Sequence, residues 1–247
     1  MNESSGSSTS TIRSLLKSNL GFKIGEIVII FFAALTLIYS LLPLAGENLV
    51  LQQAIVWTAN IMMLCLVWIS LNIRGEHWSD FGINFGTFSA KQAGTVFLKS
   101  LLVLVLAMIA FALGSVIMAP ITGIPESADM SNYAYMQDNF PLFLLTLFGV
   151  YIVSSFGEEV IYRAFLINRI SEMGFSEKWK SRIAVILSAI IFGLIHYEWG
   201  PMGMVQTGFM GLVLGYFYLH YDRKIWILVL AHAYMDTILM VQMYLAG

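Results

Sequence analysis

Seven apolar stretches, separated by short polar connections, set the pattern of this chain. They cover roughly residues 27–44, 54–71, 100–120, 142–167, 183–196, 203–219 and 225–245. Most of them reach a length of about 20 residues, which is the length that an α-helix needs to cross the hydrocarbon layer of a bilayer. An eighth crossing would be added if residues 80–99 entered the membrane. The pattern therefore predicts an all-α protein, a polytopic transmembrane helical bundle of about seven to eight spans.

The composition agrees with a membrane location. The chain is 58% hydrophobic and 11% charged, whereas a soluble domain carries about a quarter charged residues. The single cysteine, Cys65, lies inside an apolar stretch, so the chain has no disulfide framework. We expect an integral, multi-pass protein of the prokaryotic cell membrane. We expect no nucleic-acid partner, and the net charge of -2 gives no reason for one.

Lysine and arginine residues predict the orientation. All 13 of them lie in alternate connections or, in the case of Arg163, at the end of the apolar stretch before one, beginning with the segment that precedes the first apolar stretch. The intervening connections hold only acids, which are Glu47, Glu126, Asp129, Asp138 and Glu198. Because cytoplasmic loops carry the excess of basic residues, this alternation predicts a cytoplasmic N-terminus, seven crossings and an external C-terminus.

The chain divides into three parts. Residues 1–12 are rich in Ser and Thr without an apolar pattern, which predicts disorder, and residues 1–24 as a whole form a disordered or basic cytoplasmic tail. Residues 25–140 contain the N-terminal transmembrane helices, of which the first has no cleavage signal after it. Residues 141–247 form the C-terminal transmembrane core. Within that core, Gly208, Gly211 and Gly215 have the spacing of a close helix-packing face.

The sequence Glu158-Glu159-Val160-Ile161-Tyr162-Arg163 places charges inside an apolar stretch. A charge in hydrocarbon costs at least about 2.5 kcal/mol unless it is paired or faces a polar cavity. Glu159 and Arg163 are four residues apart and share a helix face, so we expect an ion pair. Glu158 is rotated by about 100° and is freer to act as a general base. In the alternative interpretation, both glutamates only pair with basic residues at the cytoplasmic edge.

Two later apolar stretches carry the other candidates, His196, then His232 with Asp236. At about 1.5 Å per helical residue, Glu158 and these three residues lie about 12 to 21 Å inside the nearest cytoplasmic charges. All four can therefore meet at one depth. His232 and Asp236 share a helix face, and so do Phe192 and His196, which lets the Phe192 ring form a wall of the site.

These residue types suit hydrolysis inside a membrane cavity. A carboxylate takes a proton from water, while imidazoles orient that water or stabilise the tetrahedral oxyanion. Two histidines and carboxylates also bind zinc with an open position for water. The metal ligands would then be Glu158, His196, His232 and Asp236. No HExxH motif is present, and both mechanisms stay open.

Three motifs in order, Glu158-Glu159-x-x-x-Arg163, Phe192-x-x-x-His196 and His232-x-x-x-Asp236, resemble the CPBP family of CAAX proteases and bacteriocin-processing enzymes. This family includes the type II CAAX prenyl endopeptidases and proteins similar to lysostaphin resistance protein A. The resemblance covers residues 142–245, so residues 141–247 are interpreted as the catalytic core. It implies a glutamate-dependent intramembrane endopeptidase, in a family often described as metalloproteases.

The resemblance also implies roles. Glu158 would activate water and His196 would orient it, Glu159 and Arg163 would support the site, and His232 with residue 236 would stabilise the oxyanion or bind a metal. The type II CAAX enzymes carry Asn at the position of Asp236. Because an ionised Asp only accepts hydrogen bonds, Asp236 must be protonated, orient His232 from behind, or bind a cation.

Two other functions remain open at this level. Intramembrane acids also serve ion- or proton-coupled transporters, although the chain shows no inverted repeat of the kind such transporters have. The chain could also be a catalytically silent bacteriocin-immunity or scaffold protein, which has the same fold but does not turn over a substrate. If the chain is a protease, its partners are membrane lipids and a membrane-associated peptide or protein, such as a pheromone or a bacteriocin.

Overall fold

The computed structural model describes residues 3–84, 86–87, 89–123 and 131–245, and these residues form a helical bundle without any strand. We number the helices α1 (Glu3–Ser18), α2 (Leu20–Ala45), α3 (Leu49–Arg74), α4 (Ala90–Thr122), α5 (Phe140–Ser171), α6 (Lys180–Leu194), α7 (Gly200–His220) and α8 (Ile225–Leu245). Short 3₁₀ turns lie at Trp78–Phe81, Ser131–Met136 and Tyr197–Trp199. The predicted all-α, polytopic fold is confirmed.

Six helices of the described residues are long and apolar enough to cross a membrane: α2, α3, α4, α5, α7 with the turn before it, and α8. The remaining predicted crossing, residues 183–196, corresponds to α6, which has only 15 residues and packs closely on α7. Residues 80–99 do not form a separate eighth crossing. Their second half is the start of α4, whose 33 residues continue to Thr122.

Polar residues at the helix starts explain where several helices begin. The side chains of Asn19, Asn48, Ser89 and Asn139 each accept a hydrogen bond from the backbone N–H three residues further on. This satisfies one of the four amide donors that the first turn of a helix leaves without an intrahelical acceptor. The caps therefore separate α2, α3, α4 and α5 from the connections before them.

The structure describes a helix, α1, over Glu3–Ser18, within the segment for which the sequence predicts a tail. The last turns of α1 are attached to α3. Arg13 Nε donates to the carbonyl of Ile73 at 3.0 Å, and Arg74 Nη1 donates to the carbonyl of Leu16 at 2.7 Å. Tertiary contacts of this kind stabilise helices whose residues have weak intrinsic helix propensity.

Small residues bring α6 and α7 into close contact, as the spacing of the glycines in α7 predicts. A Cβ atom added to Gly211 would lie 3.3 Å from the Cα of Ala189, and one added to Gly208 would lie 3.6 Å from the carbonyl oxygen of Ala189. Larger residues would push the two helices apart. The position of the α6 C-terminus, where His196 follows, depends on this contact.

A buried cluster of ion pairs connects α2, α3 and α5 at one end of the bundle. Arg74 and Arg169 are 1% and 0% exposed, and together they pair with Glu26, Glu76 and Glu172. The sequence suggests that Arg74 lies in a connection and that Arg169 marks the membrane boundary. Both are buried instead, because three glutamates from different segments surround their guanidinium groups.

Basic residues from further connections lie at the same end, which we call the basic end of the bundle. Arg169 lies over the ring of Phe81 at 5.2 Å, and Arg223 donates to the carbonyl of Asp80 at 3.3 Å. Lys99 lies over the Tyr221 ring at 4.4 Å. These contacts gather basic residues from three connections, in agreement with the alternation along the sequence.

We expect a topology reporter fused after Gly247 to lie outside the cell, and one inserted near Lys178 to lie in the cytoplasm. The reason is that we assign α6 as a seventh crossing beside the six helices that are long enough to span, with the basic end in the cytoplasm. Accessibility of single cysteines to a membrane-impermeant reagent gives the same information without a fusion. Finding both positions on the same side would mean that the 15-residue α6 does not cross the membrane.

Candidate active site

The helix that carries the two glutamates has an unusual backbone. α5 is α-helical over Phe140–Val150, π-helical over Tyr151–Ile167 and α-helical again over Asn168–Ser171. π-helical turns are rare, are usually confined to one turn, and are frequent at functional sites. Every residue from Glu159 to Ile167 is buried, since this segment packs against α3, α6 and α8. It therefore presents its polar side chains to other helices.

Glu159 lies at the centre of the polar cluster and is completely buried. Its Oε1 is 3.1 Å from Arg163 Nη1, so the ion pair expected from the spacing is present. The same oxygen is 2.8 Å from Nδ1 of His232 on α8. The guanidinium group of Arg163 also lies over the ring of Phe192, 4.2 Å from its centre, in a cation–π contact. Glu159 thus connects the α5 arginine to the α8 histidine.

The two ring nitrogens of His232 face different carboxylates, and only Nδ1 is within hydrogen-bond distance of one. Its Nδ1 faces Glu159, whereas its Nε2 lies 3.9 Å from Oε2 of Glu158 and 3.8 Å from Oδ1 of Asp236. The sequence offered Asp236 as a residue that could orient His232 from behind. In the structure Glu159 has that position, and Asp236 lies at the opposite nitrogen because the fold brings α5 alongside α8.

Asp236 is held by a residue that the sequence analysis does not identify. Ser155 Oγ, which is buried in α5, donates to Asp236 Oδ2 at 2.6 Å. Next to this bond, the hydroxyls of Tyr151 and Thr237 are 2.7 Å apart. The sequence signal for Ser155 is its position one turn before the two glutamates, but serines at such positions are usually interpreted as helix-packing residues.

His196 follows the C-terminal end of α6, and its Nδ1 is 2.7 Å from the carbonyl oxygen of Phe192. Because a carbonyl only accepts, Nδ1 carries the proton, and Nε2 of the neutral ring is left as an acceptor. The Phe192 ring lies 4.9 Å from the His196 ring and 6.5 Å from the His232 ring, centre to centre. Phe192 is therefore a wall of the site, as its spacing predicts.

The two glutamates differ in exposure and in bonding. The side chain of Glu159 is 0% exposed and has two partners, whereas that of Glu158 is 15% exposed. Within the described ranges no residue donates a hydrogen bond to Glu158. Of the three carboxylates around His232, Glu159 and Asp236 are held by neighbours and Glu158 is not.

The arrangement of these side chains does not fit a metal ion. The described part of the chain contains no group of three or more His, Cys, Asp or Glu side chains placed to hold one. His232 uses Nδ1 for Glu159, and its Nε2 is 3.8 Å or more from either neighbouring carboxylate. Of the four residues that the sequence suggests as ligands, Glu158 and Asp236 lie near Nε2 of His232, while His196 contacts the ring of Phe192, which also contacts His232.

Fold and site together define a polytopic helical membrane protein with a buried Glu–Arg–His–Asp cluster between α5, α6 and α8. Residues 140–238 match the family model described as type II CAAX prenyl endopeptidase Rce1-like, which confirms the resemblance seen in the sequence. Over these residues the chain is similar to the CAAX proteases. No curated protein and no solved structure gives a significant match to the chain.

The matched segment begins at the start of α5 and contains every predicted site residue, which are Glu158, Glu159, Arg163, His196, His232 and Asp236. Helices α1 to α4 lie outside it. Its six long apolar helices make the chain an integral membrane protein.

Proposed function

We propose that this protein is a glutamate-dependent endopeptidase that cleaves a membrane-associated peptide or protein without a metal ion. The observation that carries the proposal is the difference between the carboxylates around His232. Glu159 and Asp236 are held by hydrogen bonds, whereas Glu158 is accessible and has no donor among the described residues. A carboxylate that is free in this way can accept a proton from water.

In the first step, Glu158 takes a proton from a water molecule while the water oxygen attacks the carbonyl carbon of the substrate. The free Nε2 of His196 supports this step, because it accepts the second hydrogen bond of the same water. Two acceptors at fixed positions orient the lone pair of the water toward the carbonyl carbon. Phe192 fixes His196 through its backbone carbonyl, which makes His196 an orienting group.

The tetrahedral oxyanion is stabilised by His232 in its imidazolium form. Its Nδ1–H donates to Glu159, so Nε2–H is the donor that remains for the substrate oxygen. Donors placed in advance at the developing negative charge are usually the largest single contribution to catalysis. The amide bond then breaks, and Glu158 returns its proton to the leaving nitrogen.

The oxyanion donor comes from His232, so residue 236 does not have to donate. Asp236 instead offers a negative charge 3.8 Å from the Nε2 of His232, and Ser155 holds it in that position. We infer that Asp236 and Ser155 are positioning residues, while Glu158, His196 and His232 touch the reacting atoms.

The substrate is proposed by class. A membrane-embedded site suits a peptide or protein that is itself anchored in or on the membrane, such as a peptide pheromone or a bacteriocin. To find it, membrane fractions of cells with and without the protein are compared by mass spectrometry of peptide termini. The proposal predicts new termini that depend on the wild-type protein, and complete absence of such termini would contradict it.

The metal-free mechanism makes a specific prediction for Asp236→Asn. Asparagine has the same shape, can still accept from Ser155, and presents an amide toward His232. We therefore expect the rate of cleavage to stay within about tenfold of the wild-type rate. This limit corresponds to a change of about 1.4 kcal/mol in the activation barrier. We expect chelators to have no effect on either protein in the terminal-peptide assay.

Asp236→Ala is the matched control, because alanine keeps neither the charge nor the bond to Ser155, and it should lose more activity than Asp236→Asn. An Asp236→Asn protein that loses as much activity as Asp236→Ala would contradict the positioning role of residue 236. An inactive Asp236→Asn protein that regains activity with added zinc would overturn the metal-free mechanism, since a neutral amide is a weaker zinc ligand than a carboxylate.

A further inference from the structure

A cavity lies at the basic end of the bundle, between the connection after α3, the start of α4 and the start of α8. Its volume is about 440 Å³, and three lysines line it, namely Lys91, Lys99 and Lys224. The other described lining residues include hydroxyl and amide groups, such as those of Thr87 and Gln92, and none of them is Asp or Glu. The cavity therefore combines positive charge with hydrogen-bond donors.

None of these lysines is neutralised by the part of the protein that the structure describes. Lys99 lies over the Tyr221 ring at 4.4 Å, a contact that leaves its positive charge uncompensated, and no carboxylate of the described residues pairs with Lys91 or Lys224. Arg74 and Arg169 at the same end are surrounded by three glutamates. Three like charges around one cavity repel each other, and an anion placed between them removes that repulsion.

The surroundings of the cavity indicate what kind of anion binds. On α4, Phe97 and Leu98 are 49% and 67% exposed, and both are large apolar side chains next to Lys99. Trp226, at the cavity wall, donates its indole N–H to the carbonyl of Asn84 at 2.8 Å. Tryptophans and lysines of this kind lie at the level of lipid headgroups. A ligand here meets positive charge at one end and an apolar helix surface at the other.

We propose that this cavity binds the phosphate of an anionic phospholipid, with the acyl chains along the exposed face of α4 at Phe97 and Leu98. Basic pockets between transmembrane helices on the cytoplasmic side take lipid headgroups by this combination of contacts. The site is separate from the catalytic cluster, although one aromatic contact connects the two. Trp226 stacks on Phe156 of α5 with 5.8 Å between ring centres, two residues before Glu158.

The test uses the purified full-length protein in detergent, with lipid binding measured by native mass spectrometry and by the shift of the thermal unfolding midpoint. Phosphatidylglycerol is the probe, phosphatidylcholine is the uncharged control, and glycerol phosphate is the phosphate without acyl chains. Of the three compounds, we expect only phosphatidylglycerol to bind and to raise the thermal unfolding midpoint. Equal binding of glycerol phosphate would overturn the lipid assignment in favour of a soluble phosphate.

The deciding comparison is between two charge-matched double variants. Lys91→Gln/Lys224→Gln removes two exposed lysines from the cavity, and Lys17→Gln/Lys178→Gln removes two exposed lysines elsewhere. We expect the first to bind phosphatidylglycerol roughly tenfold to thirtyfold more weakly, given the contribution of a lysine near an anionic headgroup. We expect the second to bind like wild type. Equal losses in both variants, or no loss in the first, would overturn the proposal.

Discussion

Replacing Glu158 with glutamine is expected to abolish peptide cleavage while leaving the protein folded and inserted. The amide cannot accept the proton of the attacking water, and general-base catalysis contributes about 10²- to 10⁴-fold to a rate. Little stability is lost, because Glu158 is partly exposed and no described residue donates a hydrogen bond to it. The measurements are the terminal-peptide assay and the thermal unfolding midpoint of the purified variant.

Glu177→Gln is the matched control for this experiment. It makes the same chemical change at an exposed glutamate whose partner is Lys180, outside the catalytic cluster. We expect it to cleave like wild type. If Glu158→Gln cleaves as fast as wild type, Glu158 is not the base and the proposed hydrolytic mechanism is wrong.

Replacing Glu159 with glutamine is expected to cost stability as well as activity. The change leaves the buried guanidinium group of Arg163 without its counter-ion, and breaking one side of a buried ion pair costs about 3–5 kcal/mol. It also weakens the bond that fixes Nδ1 of His232. A lower thermal unfolding midpoint than that of Glu158→Gln, together with slower cleavage, is the expected result.

A double variant separates these two effects. In Glu159→Gln/Arg163→Met the buried charge is removed along with its partner, and replacing both members of a buried pair with residues of similar volume is often close to neutral. We expect stability to return toward wild type while cleavage stays low, since His232 still lacks its carboxylate. A double variant no more stable than Glu159→Gln would show that the pair does not determine the stability of this region.

By itself, the sequence determined the fold class of the protein and the charged and histidine residues of its polar cluster, but not Ser155. Hydrocarbon offers no hydrogen-bond partner to the backbone, so long apolar stretches have to be helices, and the hydrophobic pattern alone therefore predicts the fold. Charged residues inside such stretches are costly, which makes Glu158, Glu159 and Arg163 conspicuous. His232 and Asp236 are recognised from a spacing of four, which depends only on helix geometry.

Only the tertiary structure decided which polar side chains are bonded to each other. Glu159 and His232 are 73 residues apart in the chain, and Ser155 and Asp236 are 81 apart, so their contacts depend on how α5 and α8 pack. The same holds for Arg74 and Arg169, whose glutamates come from three separate segments. Helical periodicity describes neighbours within one helix, whereas the partner of a buried charge is chosen by packing between helices. For this reason the bonded state of each carboxylate, and with it the free state of Glu158, became visible only in the folded bundle.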